Sequence, residues 1–132
     1  MITIDDLEMM LNEIADELPK DFQEEIYKKL NGGVIISPYS KIHPESDASL
    51  NLYILGEYHY QPLGLGRYIV IYYGSFIRVH AHTPPKQQKE ALRDILLHEI
   101  THHFESLAGD RSLEKQDAQD IAKYKFRIKR SN

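Results

Sequence analysis

The chain has 132 residues, 42% of them hydrophobic, no cysteine and a formal net charge of −4 at pH 7. Without cysteine there are neither disulfides nor thiolate ligands, so a metal must be held by His, Asp or Glu; the charge balance gives no general attraction for nucleic acid. The longest apolar runs, such as Tyr68 to Tyr73, are far too short to cross a bilayer, and Met1 to Asp6 lacks the features of a secretory signal, so one cytoplasmic domain over residues 1–132 is expected.

Thr3 followed by Asp6 resembles a capping pattern, and Leu7, Met10, Leu11, Ile14 and Leu18 recur at helical spacing until Pro19 interrupts. A second amphipathic helix is expected from about Asp21, through Phe22, Ile26 and Leu30, to the stop signal Asn31-Gly32-Gly33. Residues 34–36, 50–55 and 67–73 are then rich in β-branched and aromatic types and predict three strands. Ser75 to Val79 adds a fourth strand or a helical turn, and Gly56 to Gly66 reads as a loop. Thr83-Pro84-Pro85 predicts an N-cap and first turn of a long helix ending at Gly109, with a last helix from Leu113 to about Tyr124. The fold class is therefore α+β: two helices, a small mixed sheet, then two helices. The basic residues Lys123, Lys125, Arg127, Lys129 and Arg130 read as a solvated helix end.

The chemistry sits in His98-Glu99-Ile100-Thr101-His102. At about 100° per residue, Leu92, Leu96, Leu97, Ile100, Phe104 and Leu107 share one face of the long helix, and His98, His102 and Glu105 the other. Histidines four apart stack one turn above each other, so both rings can reach one cation. Glu99 lies beside them, where its carboxylate is expected to take a proton from a metal-bound water as general base. His103 projects to the apolar side and is expected to be a hydrogen-bonded core residue, while Asp94, a turn before His98, is as readily a surface carboxylate as a partner to that ligand.

A catalytic zinc takes three protein ligands and keeps a fourth position open. Asp110, just after the helix-ending Gly109, is favoured as the third; Glu105 is the reserve, and Glu114 and Asp117 stay open. The competing structural role of Asp110 is an N-cap for the final helix. His43, His59, His80, His82, Tyr58, Tyr60, Tyr72 and Tyr73 include possible ligands or oxyanion donors, but no spacing singles one out.

The segment His98-Glu99-Ile100-Thr101-His102-His103-Phe104 resembles the minimal zincin-like metallopeptidase family of short bacterial proteins. The resemblance implies a zincin-like domain with a small sheet against the active-site helix, Zn2+ as cofactor, His98 and His102 as ligands and Glu99 as base. The family pattern continues with a glycine and then an Asp; here Glu105 stands at the glycine position and Gly109-Asp110 follows four residues later, so Asp110 matches by type and by its place after glycine rather than by distance. The expected function is zinc-dependent hydrolysis of a peptide bond in a peptide or protein substrate. The alternatives are a non-enzymatic metal-binding or protein-interaction domain, and metal-assisted hydrolysis of a non-peptide amide.

Overall fold

The computed structural model describes residues 2–47 and 49–109, with the side chain of Tyr27 left aside. Helix α1, Ile4–Glu17, opens on the expected capping box: the Thr3 hydroxyl accepts from the Asp6 amide at 3.1 Å, and the Asp6 carboxylate accepts from the Thr3 amide at 2.9 Å. Its apolar positions Leu7, Leu11 and Ile14 are buried. Helix α2, Lys20–Lys28, follows at once, and its Gln23 amide donates to the Asp16 and Leu18 carbonyls, satisfying the end of α1.

Strand β1, Gly33–Ser37, agrees with the apolar triplet at 34–36. Residues 50–55 do not form the expected strand. They make only isolated bridges, Ile42 to Tyr53 and Asp47 to Leu50, in an excursion between β1 and the sheet's next strand. The segment read as a loop instead contains strand β2, Gly56–Gln61, joined by a tight turn to β3, Gly66–Tyr72. The sheet order is β1-β3-β2, with β3 central, parallel to β1 and antiparallel to β2. Burial on both faces of β3, Ile69 and Ile71 on one and Tyr68 on the other, accounts for its near-continuous apolar run.

The strand-or-turn alternative at 75–79 resolves as helix α3, Tyr73–His80. Helix α4, Pro85–Ala108, packs on β2, β3 and α1. Its N-cap position is Pro84 rather than Thr83, whose amide donates to the His80 carbonyl at 3.0 Å. Gly109 ends it as expected: at φ 75° it adopts the left-handed conformation that glycine enters without strain, and its amide bonds to the Glu105 and Ser106 carbonyls. The molecule is thus a small α+β domain with a mixed sheet. The predicted final helix, Leu113 to Tyr124, lies outside the described residues. Among the described residues no helix is long and apolar enough to cross a membrane.

Candidate metal centre

Leu92, Leu96, Ile100 and His103 follow one another at steps of four, four and three, and this stripe turns α4 towards the core. Burying each of the three aliphatic side chains contributes about 1.5–3 kcal/mol, which fixes the rotation of the helix about its axis. Leu107, assigned to the same apolar face, is 43% exposed and lies in the last turn of α4.

With that face pinned, His98 and His102 emerge on the opposite side, His98 exposed and His102 half-buried. Their rings lie edge to face, centroids 4.8 Å apart at 88°. Two imidazoles bound tetrahedrally to one zinc at about 2.0–2.1 Å have centroids on the order of 5 Å apart, a spacing that this pair matches. Glu99, between them in sequence, is only 6% exposed.

All three residues line a cleft of about 810 Å³ between α4 and β2 with the segment preceding it. The helix and strand come close at Gly56, where a Cβ would stand 2.9 Å from Ile95 Cγ2 and 3.4 Å from Glu99 Cγ. Glycine is therefore what lets the strand approach α4. The reserve ligand Glu105 and Asp94 also line the cleft. Among the described residues no group of three or more His, Asp or Glu side chains converges to hold a metal, so Glu105 does not complete a triad with the histidine pair. Asp110, the favoured third ligand, lies outside the described residues, as do Glu114 and Asp117.

His103 is fully buried and hydrogen-bonded. Arg67 Nη1 donates to the Tyr58 hydroxyl at 2.8 Å and to Ser106 Oγ at 2.6 Å, which directs the Tyr58 proton to His103 Nδ1, 3.0 Å away. The imidazole then carries its own proton on Nε2 and donates to Glu25 Oε2 at 3.2 Å. Burial pushes the His103 pKa below its ordinary value, with Glu25 opposing in part, consistent with this neutral tautomer. One residue after the second histidine of the pair, α4 is thereby tied to α2, β2 and β3.

Sequence reasoning did not single out Glu57. From β2 its carboxylate accepts two bonds from Lys41 Nζ, at 2.9 and 2.8 Å, and others from the Tyr72 hydroxyl and His59. Burial alone would raise its pKa, but these donors together hold it below the usual 4.5. Since Lys41 also bonds through its backbone to Ser75 and Ile54, the cluster fastens both ends of the 41–54 excursion to the sheet beside the cleft. Of the remaining candidates, His43, His59, Tyr58 and Tyr60 line the cleft. Tyr73 is committed elsewhere, donating to the Ile2 carbonyl at 2.8 Å, and His80 packs on Phe76 with centroids 4.9 Å apart. His82 is not among the residues lining the cleft.

No protein-family model and no curated protein matches the chain. A solved structure does: a conserved hypothetical protein (TTHA0227) from Thermo thermophilus, 31% identical, with a TM-score of 0.62 over 81% of this chain and 98% of that one. That protein's description names no activity, metal or substrate. At this identity over nearly the whole of its relative, the chain belongs to the same family as the Thermo thermophilus protein.

Proposed function

We propose that the chain is a zinc-dependent metallopeptidase, with His98 and His102 as ligands, Asp110 as the third ligand and Glu99 as general base. The observation that carries this reading is the pair of adjacent imidazoles on the floor of a cleft, flanking a carboxylate that is only 6% exposed. The resemblance of the motif to minimal zincin-like metallopeptidases supports it from the sequence side. Zinc held there would supply the Lewis acidity that polarises a scissile carbonyl and acidifies water.

The chain's own residues do the rest. The cleft holds the peptide with the scissile bond over the histidine pair and draws it away from bulk water. Glu99 accepts a proton from the attacking water as its oxygen bonds to the carbonyl carbon. When the C–N bond breaks, the same carboxyl returns the proton to the departing nitrogen, leaving a carboxylic acid and an amine. A cytoplasmic location is proposed alongside this activity, and cell fractionation tests it.

Glu99→Gln keeps the shape and removes the base, so hydrolysis should fall about 10²–10⁴-fold while the zinc content measured by elemental analysis stays that of the wild type. His98→Ala and His102→Ala should lose the metal. Zinc absent from wild-type protein purified without chelator, and not taken up on addition, would refute the proposal. The second reading is a non-enzymatic metal-binding or interaction domain, which the same cleft and histidine pair would serve without a base. Bound zinc with all its positions occupied by protein atoms, and no cleavage of any peptide, would select it.

A further inference from the structure

The cleft is chemically divided. On the α4 side its floor carries Asp94, Glu99 and Glu105 with the histidine pair, and its described lining contains no Lys or Arg. Another part of the lining is aliphatic: Leu52, Ile54 and Leu55 come from the segment entering β2, and Ile95 from α4. All four are half-buried, so each keeps apolar surface facing the cavity. Ile95 is three residues before His98 and four before Glu99, which puts it one helical turn from both on neighbouring rows of α4. The approach at Gly56, where a Cβ would meet Ile95 Cγ2 at 2.9 Å, sets Ile95 against the residue that directly follows Ile54 and Leu55, so strand and helix meet there in a corner.

We propose that the corner formed by Ile54, Leu55 and Ile95 is a specificity pocket, taking a bulky aliphatic side chain of a peptide next to the bond over the histidine pair. The inference rests on the peptidase reading for the word substrate, but the seating of the side chain does not need the metal. An aliphatic group displaces water from apolar walls and gains by burial. An acidic side chain in the same place loses hydration and faces the carboxylates of α4, while the cations that border the cleft, Lys41 and Arg67, are already engaged by Glu57 and by Tyr58 and Ser106. The site therefore discriminates by attraction and by repulsion at once.

The test uses the full chain as Glu99→Gln with zinc added, and three capped hexapeptides that differ only in a central Leu-Leu, Ala-Ala or Asp-Asp pair. Binding is measured by calorimetry, and cleavage of the same peptides by wild-type protein is measured separately. The Leu-Leu peptide should bind about 10- to 100-fold more tightly than Ala-Ala, with Asp-Asp weakest. Ile54→Ala and Ile95→Ala should each reduce the Leu-Leu preference several-fold; Ile54→Val and Ile95→Val, which disturb packing less, should reduce it by a smaller factor. Equal binding of the Leu-Leu and Ala-Ala peptides, no binding of any, or a preference untouched by all four variants would overturn the pocket. A Leu preference in binding without cleavage by the wild type upholds the pocket and removes the peptidase reading. Cleavage with no Leu preference does the reverse.

Discussion

At the scale of single residues, Gly56 and Glu57 carry most of what is particular to this cleft. A methyl group at Gly56 would meet Ile95 Cγ2 at 2.9 Å and Glu99 Cγ and Ile71 Cδ1 at 3.4 Å, and Ile95 belongs to a packed helix that has little room to retreat. Gly56→Ala should cost about 1–3 kcal/mol in urea unfolding and, by prising β2 from the helix at Glu99, lower peptide hydrolysis more than it lowers zinc content. For Glu57 the sign of the pH effect follows from its pKa, held below the ordinary 4.5 in the folded state. Between the two values the unfolded chain holds more protons, so the stabilisation is complete above about 4.5 and is lost as pH falls through the lowered folded value. Removing the charge that Lys41 and Tyr72 hydrogen-bond should make Glu57→Gln less stable by about 1–2 kcal/mol at pH 7, a gap that narrows in unfolding measurements as pH falls below about 4.5. The histidine pair and Glu99 were legible in the sequence because helical period alone sets them side by side. Glu57 was not, since Tyr72 is brought to it by strand register and Lys41 by the excursion between β1 and β2, and no local spacing encodes either.

Among the elements, the sheet was the least legible. The run at 50–55 has the apolar composition of a strand, yet it makes only isolated bridges and Leu52 to Leu55 line the cleft, while Gly56-Glu57-Tyr58-His59-Tyr60-Gln61, polar and glycine-led, became the strand. An outer strand needs apolar residues on one face only, and its pairing with β3 is decided by tertiary contacts that override composition. The long helix was legible because its period, its Pro-rich start and its glycine stop all agree. What the sequence did not reveal is the lock on that helix. His103 could be assigned to the core, but Tyr58, Arg67 and Glu25, its partners and theirs, lie 45, 36 and 78 residues away. Tyr58→Phe removes one hydroxyl and leaves both the His103 Nδ1 acceptor and the Arg67 donor short of a partner in a half-buried setting. The variant should lose about 1–3 kcal/mol, read from chemical denaturation, and hydrogen exchange should quicken in β2 and the second half of α4 more than in α1. Uniform quickening would mean that the network serves general stability rather than joining these two elements.

For the whole molecule, the metal reading makes a claim about folding as well as chemistry. A ligand that binds only the folded state stabilises it by mass action, about 2.7 kcal/mol at a hundred times its Kd. In a chain of 132 residues that amounts to a rise in Tm on the order of 10 °C. The rise should depend on both imidazoles, since either alone is a weak monodentate site, and should not depend on the base. Zinc should therefore lift the melting temperature of the wild type and of Glu99→Gln alike and leave His98→Ala and His102→Ala unmoved. It should also fail to lift the wild type once a chelator stronger than the protein is present. The aspartate just past the helix enters the same comparison: Asp110→Ala should cut the zinc-dependent rise, and Glu105→Ala should leave it, because the third ligand is proposed to come from beyond the turn at Gly109. If Glu105→Ala abolishes the rise and Asp110→Ala does not, the ligand set is confined to one helix and the open coordination position expected of a hydrolase has to be sought on a different side of the ion.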